Sequence, residues 1–300
     1  MNSLKTILYF SIFDYPLCKE EIKQYAQHLD NVDEELKTLI DKNIIFLKDG
    51  FYNIENNLKH IERRLAGNKK AKDLMPKAYK MSKRIMSFPF IEAVTISGAL
   101  SKNFIDDDGD IDYFIITTPN KLWIARTLLI LYKKIFLLNS KKYFCVNYFV
   151  STNHLEIDEK NKFTATEMVT LIPVYGTEAY QDFVNKNYWV KSYFPNKPME
   201  SQTRFKDFKK PFWSTCLENF FNISFVSHAF EPFFKKITLK KWESKFKKLH
   251  PEDFQIALKS TDDVSKHHPR HFQKKVINLL NEKYDHINTT FNLNLSKEDV

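Results

Sequence analysis

Five carboxylates occupy seven consecutive positions in the middle of the chain, and an apolar run follows them directly. The segment reads IDDDGDIDYFIIT, and its last two aspartates, Asp110 and Asp112, alternate with apolar and aromatic residues. This alternation predicts a strand with both carboxylates on one face. Buried carboxylates so close together repel each other unless a cation neutralises them, and Mg²⁺ commonly combines carboxylates with substrate phosphates. We therefore predict a magnesium site at Asp110 and Asp112.

A turn of small residues precedes the acidic segment. The candidate phosphate-binding residues follow the apolar stretch EAVTI and are Ser97, Gly98, Ala99, Ser101 and Lys102. Glycine lets the backbone approach a phosphate closely, and the first turn of a helix offers free amide donors. The segment thus predicts an anion-binding turn beside a cation site. Phosphoryl or nucleotidyl transfer requires that combination.

The small-residue turn, a loop, and Asp-Ile-Asp on a strand resemble the signature of the nucleotidyltransferase superfamily that includes DNA polymerase β. This motif covers roughly residues 90–150. A looser likeness, in FSIFDYP, DIDYFIIT with LWIAR after it, NYF and TATE, covers most of the chain and is similar to a group of bacterial nucleotidyltransferase-like proteins. The resemblance implies Mg²⁺-dependent transfer of a nucleoside monophosphate from a nucleoside triphosphate, with ATP as the expected donor, to an acceptor.

The sequence departs from the superfamily pattern in two places. Ala99 stands where Ser or Gly is usual, and Asn147 stands where a third carboxylate is expected. An amide oxygen can coordinate a cation, but an amide cannot act as a general base. Glu156 and Asp158, in the predicted strand HLEID, are the nearest acids in sequence, so Asn147 and Glu156 join the two aspartates as candidate catalytic residues. The alternative is a catalytically degenerate relative that acts as a nucleotide-binding or partner-binding module.

The elements around these residues predict an α+β protein of several domains. Three short helices and a hairpin with an Asp-Gly turn predict a winged helix over residues 1–57. A basic helical connector over 58–88 leads into a nucleotidyltransferase-type α/β sheet over 89–195, and a helical C-terminal region over 196–300 follows. Duplex DNA is not an expected partner, because residues 1–57 hold six Lys and no Arg against ten Asp and Glu.

Two basic segments carry alternatives. Arg63 and Lys70 in the connector belong either to a solvated helix face or to a polyphosphate site. The segment FFKKITLKKWESKFKK mixes lysine with aromatic residues, as do amphipathic covering helices, single-stranded nucleic-acid surfaces and membrane-surface helices. The acceptor therefore stays open among RNA, a small molecule and a protein.

Composition narrows the class of protein. The 300-residue chain is 43% hydrophobic, with 27 Phe and 14 Tyr, which opposes disorder. Its net charge of +9 favours anionic partners. Cys18, Cys145 and Cys216 match neither a disulfide framework nor a zinc spacing, and the first residues show no secretory pattern. We expect a cytoplasmic protein with no membrane span, because basic residues interrupt its most apolar helix.

Overall fold

A computed structural model describes residues 1–199, 208–269 and 271–299. These residues form 13 helices and two β-sheets, so the fold is a mixed one. Of the predicted C-terminal region 196–300, residues 200–207, 270 and 300 lie outside the described ranges. None of the helices within those ranges is both long and apolar enough to cross a membrane.

The N-terminal module contains the three helices and the hairpin that the sequence predicts. Its elements are α1 (Asn2–Ser11), β1 (Leu17–Cys18), α2 (Lys19–Tyr25), α3 (Val32–Asp41), β2 (Phe46–Lys48) and β3 (Phe51–Asn53). β3 pairs antiparallel with both β1 and β2. The Glu35 carboxylate of α3 accepts hydrogen bonds from the Ser3 and Leu4 amides at 3.4 and 3.2 Å. It thereby satisfies free N–H groups at the start of α1.

A single long helix, α4 (Leu58–Met86), occupies the predicted connector. Asn57 caps this helix, because its side chain accepts a hydrogen bond from the Lys59 amide at 3.1 Å. Arg64 anchors the helix: its guanidinium donates to both carboxylate oxygens of Glu21 in α2, at 2.7 and 2.8 Å. Arg64 is only 6% exposed, so this bidentate ion pair holds α4 against the N-terminal module in a largely desolvated setting.

A five-stranded mixed sheet forms the middle of the fold. The elements of this part are β4 (Ile91–Ser97), α5 (Gly98–Ser101), β5 (Asp112–Thr117), α6 (Leu122–Phe136), β6 (Cys145–Ser151), α7 (Lys162–Val169), β7 (Ile172–Tyr175), α8 (Thr177–Lys186) and α9 (Val190–Tyr193). β4 lies between β7 and β5 and is antiparallel to both, whereas β5 and β6 are parallel. The long helix α6 makes the crossover that a parallel pair requires.

The described residues of the C-terminal part form four helices and one short strand, joined by loops. Its elements are α10 (Phe212–Asn222), α11 (Ser224–Lys245), α12 (Pro251–Ala257), β8 (Val264–Lys266) and α13 (Phe272–Phe291). The helical prediction for 196–300 missed β8, because three residues with the sequence Val-Ser-Lys are too short to show a period. β8 pairs antiparallel with β6, and so this part of the chain adds the last strand to the central sheet.

Two apolar clusters cover the two faces of the central sheet. One cluster joins Phe114 and Val150 to residues of α1, α7, α8 and α13, and the other joins Tyr113 and Phe149 to α4, α6 and α10. Side chains alternate along β5 and β6, so neighbouring residues enter different clusters. The N-terminal module and the C-terminal helices therefore pack onto the same sheet.

The predicted strand HLEID is wrong, since residues 154–158 form a loop. Asn187 replaces the hydrogen bonds of a strand partner: its side chain donates to the Leu155 carbonyl at 2.7 Å and accepts from the Ile157 amide at 2.9 Å. Leu155 and Ile157 are both buried, which produces the apolar alternation without a sheet.

Candidate functional site

Most of the predicted site residues surround one cavity of about 980 Å³. The ones that line it are Ser97, Gly98, Ala99, Lys102, Asp110, Asp112 and Asn147. They come from the turn after β4, the start of β5 and the start of β6, so the central sheet positions all of them. Ser101 and Glu156 lie outside the lining.

Gly98 forms the turn between β4 and α5 in the left-handed region, with φ of +69°. Its missing side chain also makes room for the acid pair, because a Cβ on Gly98 would lie 2.4 Å from Asp112 Oδ2. Glycine meets both requirements at no steric cost. The small-residue turn and the first aspartate of β5 are thus packed directly against each other.

Ser101 and Lys102 fold back onto this turn. Ser101 Oγ and Lys102 Nζ each donate a hydrogen bond to the Gly98 carbonyl at 2.9 Å. Ser101 therefore stabilises the turn from outside the cavity, whereas Lys102 lines it. The helix α5 is only four residues long, so its amide donors amount to a single turn. Ser97 and Ala99 lie on the cavity side of this turn.

Asp110 and Asp112 form the acid pair of the cavity. β5 begins at Asp112, so Asp110 lies in the preceding loop and the predicted strand starts later than expected. Ile111 and Tyr113 are fully buried, while both aspartates line the cavity, as the alternation predicts. Burial, followed by the charges of Glu167 and Asp110, raises the pKa of Asp112 to about 6. A carboxylate in such surroundings gains stability from a cation.

The acid pair fits a magnesium ion by the chemistry of its donors. Asp112 Oδ2 faces the Gly98 turn, and both carboxylates border the cavity. Within the described ranges, no three or more His, Cys, Asp or Glu side chains form a group that could hold a metal by themselves. Mg²⁺ is usually bound by one or two carboxylates, with water and substrate phosphates as the other ligands. Asp110 and Asp112 are two carboxylates that could supply this protein contribution.

Asn147 of β6 stands beside Asp112, at the position where the sequence resemblance expects a third carboxylate. The parallel register pairs Asp112 with Cys145 and so brings the two strands' first residues together. Asn147 Nδ2 donates a hydrogen bond to Asp112 Oδ1 at 2.9 Å. This bond favours the charged form of Asp112, but the amide adds no charge and cannot accept a proton.

The two acids that the sequence suggested as substitutes are engaged elsewhere. Glu156 is exposed and pairs with Lys160 at 2.5 Å. Asp158 lines the cavity, but Lys259 binds its carboxylate and His154 lies 3.3 Å from it. The structure therefore does not bring Glu156 to the acid pair.

Glu167 of α7 is the acid that the fold brings toward Asp112, and the sequence did not single it out. It lines the cavity, its charge raises the pKa of Asp112, and its carboxylate pairs with Lys102 at 2.8 Å. Its neighbours Thr166 and Met168 also line the cavity, and Glu167 is the only acid of the TATEM segment. The looser likeness included TATE, but helical periodicity in so short a segment does not indicate which side faces a distant strand, so Glu167 was not distinguished as a site residue.

Two other aspartates of the acidic segment are matched by α4. Arg63 Nη2 pairs with Asp106 Oδ2 at 2.6 Å, and Lys70 Nζ pairs with Asp107 Oδ1 at 2.8 Å. The Arg63 guanidinium also lies over the Phe104 ring, 4.7 Å from its centroid. These ion pairs leave three carboxylates of the acidic segment, Asp108, Asp110 and Asp112, without an ion pair in the described part of the chain. Of these three, Asp110 and Asp112 line the cavity.

Comparisons with models of protein families, with curated proteins and with solved structures found no match for this chain.

Proposed function

We propose that this protein is a Mg²⁺-dependent nucleotidyltransferase that moves a nucleoside monophosphate from a nucleoside triphosphate, ATP in the first instance, to an acceptor. One observation carries the proposal: Asp112, with its raised pKa, lies beside Asp110 on the cavity and directly against the Gly98 turn. A cation site and a phosphate-binding turn in contact with each other are the minimum that this chemistry needs.

The strand arrangement supports the proposal. β4 leads through the Gly98 turn and the single-turn helix α5 into the antiparallel strand β5, and β6 follows in parallel. This order places the turn, the acid pair and Asn147 at one end of three adjacent strands. It agrees with the superfamily pattern that the sequence resembles.

Each residue then has a defined part in the transfer. Asp110 and Asp112 hold Mg²⁺, which when bound neutralises charge on the transferring phosphate. Ser97, Gly98 and Ala99 face the phosphates of the nucleoside triphosphate. Lys102 lines the same side of the cavity, where its ammonium is shared between the Glu167 carboxylate and the triphosphate. Glu167 is the acid placed to accept the proton of the acceptor hydroxyl or amine.

The proposal is tested by isothermal titration of the protein with ATP, with and without Mg²⁺, followed by an assay of pyrophosphate release in the presence of candidate acceptors. We expect Mg²⁺-dependent binding and release of pyrophosphate. The second candidate, a catalytically degenerate binding module, is favoured by Asn147, which occupies the third position without a charge. Binding without release from any acceptor would select this second candidate, and absence of Mg²⁺-dependent binding would contradict both.

Replacement of Gly98 by Ala is expected to weaken Mg²⁺-dependent nucleotide binding by about tenfold or more, because the new methyl group displaces the Asp112 carboxylate. Titration calorimetry measures the effect. The matched control is Gly50→Ala, since Gly50 also has a positive φ, +81°, but a Cβ there meets no atom within 4 Å. Both variants lose stability from backbone strain, so equal losses of binding would show that strain alone is responsible.

Replacement of Glu167 by Gln is expected to lower the rate of transfer by about a hundredfold while leaving nucleotide affinity within a few-fold, because a general base acts on the acceptor and not on the nucleotide. Steady-state pyrophosphate release measures both quantities. Glu156→Gln is the control, since Glu156 is exposed and outside the cavity. If KM changes while kcat does not, the role of Glu167 is to hold Lys102 in place and not to accept a proton.

We propose the cytoplasm as the site of action, which three free cysteines support.

A further inference from the structure

Six cations line the end of the cavity formed by α6, α11 and the loop before β6. We name them the basic cluster: Arg126, Lys133, Lys134, Lys141, Lys241 and Lys245. Lys134, Lys141, Lys241 and Lys245 are exposed, whereas Arg126 and Lys133 are each only 8% exposed. The cluster therefore has a buried floor of two cations and an exposed rim of four.

No described carboxylate pairs with any member of the basic cluster. Other lysines of the same cavity are paired: Lys266 lies 3.8 Å from Glu159, and Lys274 lies 3.2 Å from Asp253. The lack of an ion pair matters most for the two buried cations, Arg126 and Lys133, because a buried charge without a partner is strongly unfavourable. The cluster is thus a set of cations that the described part of the chain leaves uncompensated.

Arg126 is held by aromatic rings rather than by an acid. Its guanidinium lies 4.9 Å from the Trp242 ring centroid and 5.6 Å from that of Trp123. One hydrogen bond, to Thr238 Oγ1 at 3.3 Å, uses one of its five donors. Contact with the rings holds the guanidinium without consuming its donors, so the other four have no protein acceptor within the described residues.

The Lys133 ammonium takes part in no ion pair and donates no hydrogen bond within the described residues, although the residue is only 8% exposed. Burial, with smaller effects from Lys141, Arg126 and Lys241, lowers the pKa of its ammonium. The pKa of Lys241 is lowered first of all by Lys134. Members of the cluster therefore repel one another, and an anion between them would relieve this repulsion.

The basic cluster lies next to the acid pair. The Ile111 amide, between the two aspartates, donates a hydrogen bond to the Lys142 carbonyl at 3.0 Å, so the loop that carries Lys141 lies against the acid pair. His267 also lines this cavity but adds no positive charge, because burial and then Arg126 lower its pKa to about 3 and leave it neutral at pH 7. A group bound at the cluster would lie beside the reacting end of a nucleotide held at the acid pair.

We propose that the basic cluster is a binding site for the phosphate group of a phosphorylated small molecule, which is the acceptor of the transfer. The second half of this statement rests on the proposed nucleotidyltransferase function, and the first half does not. The volume of about 980 Å³ is at the upper end of the range of small-molecule pockets, roughly 300–1,000 Å³, so two small ligands side by side fit it better than a polymer does.

Inorganic phosphate is the probe, titrated into the whole protein without Mg²⁺ or nucleotide. We expect saturable binding that Lys133→Met weakens at least about tenfold, because a buried charged donor to phosphate is lost. Lys142→Met is the control, because it removes the same charge from an exposed neighbouring residue that does not line the cavity. Thermal denaturation checks folding: phosphate should raise the midpoint of the wild type and not that of Lys133→Met.

Equal phosphate affinity in the wild type and in Lys133→Met would overturn the site. Lys133-dependent binding of a single-stranded oligoribonucleotide without binding of phosphate would overturn it in favour of a nucleic-acid surface. Asp112→Asn separates the two proposals. This variant should still bind phosphate but no longer release pyrophosphate. If the wild type binds phosphate but never releases pyrophosphate, the proposed nucleotidyl transfer is refuted and the phosphate site is not.

Discussion

Asp112→Asn is expected to lower Mg²⁺-dependent pyrophosphate release by about 10³-fold or more, which corresponds to roughly 4 kcal/mol of transition-state stabilisation. The substitution keeps the size of the side chain and an oxygen that can accept the hydrogen bond from Asn147. It removes the charge that faces the Gly98 turn and shares the cavity with Asp110. The expected loss of activity therefore reflects weaker binding of Mg²⁺ and not a change in the packing of the Gly98 turn.

The same substitution is expected to stabilise the protein at neutral pH when Mg²⁺ is absent. Asp112 has a folded-state pKa of about 6, above its unfolded value of about 3.9. The folded state thus binds more protons between these values, so wild-type stability falls as the pH rises from about 4 to about 6 and stays lower above that. The loss amounts to at most about 3 kcal/mol, and Asp112→Asn should not show it.

Urea unfolding across this pH range, with and without Mg²⁺, tests both halves of the prediction. Mg²⁺ should stabilise the wild type above pH 6 and leave Asp112→Asn unchanged. Asp107→Asn is the control, because Asp107 is fully exposed and its pairing with Lys70 is on the other side of the acidic segment. Equal Mg²⁺ stabilisation of wild type and Asp112→Asn would place the cation elsewhere and remove the basis of the proposed function.

The sequence predicted those elements whose signal is local. The alternation in DIDYFIIT placed Ile111 and Tyr113 in the core and both aspartates opposite them, and the Asp-Gly turn marked the hairpin of β2 and β3. It failed where tertiary contacts replace local patterns. The loop at 154–158 mimics a strand because Asn187 satisfies its backbone, and β8 exists because β6 offers it an edge.

The same distinction applies to the site. The Gly98 turn and Asp112 are close in sequence, so the pattern indicated both together. Glu167 on α7 and the cluster members Lys241 and Lys245 on α11 come from segments far along the chain, and only the packing of these helices brings them to the cavity. A lysine such as Lys133 at the end of an apolar helix reads as a surface residue, because the sequence does not show that the loop before β6 and α11 enclose it.

Arg64→Met is expected to lower the free energy of unfolding by roughly 3 kcal/mol, because it removes a buried guanidinium and leaves the Glu21 carboxylate, whose side chain is 25% exposed, without its bidentate partner. The guanidinium also lies 4.4 Å from the ring centroids of Tyr15 and Phe51, so its packing is lost as well. Glu21 has a second task, since its carboxylate accepts a hydrogen bond from the Cys18 amide at 2.9 Å at the start of α2.

Urea unfolding measures the effect, and the neighbouring residue in α4 supplies the control. Arg63→Met removes an ion pair whose side chains are 37% and 52% exposed, so we expect a loss of about 1 kcal/mol or less. The double variant Glu21→Gln with Arg64→Met should recover part of the loss, because the uncompensated carboxylate is then gone. A double variant no more stable than Arg64→Met alone would mean that packing against Tyr15 and Phe51, and not charge pairing, holds α4 to the N-terminal module.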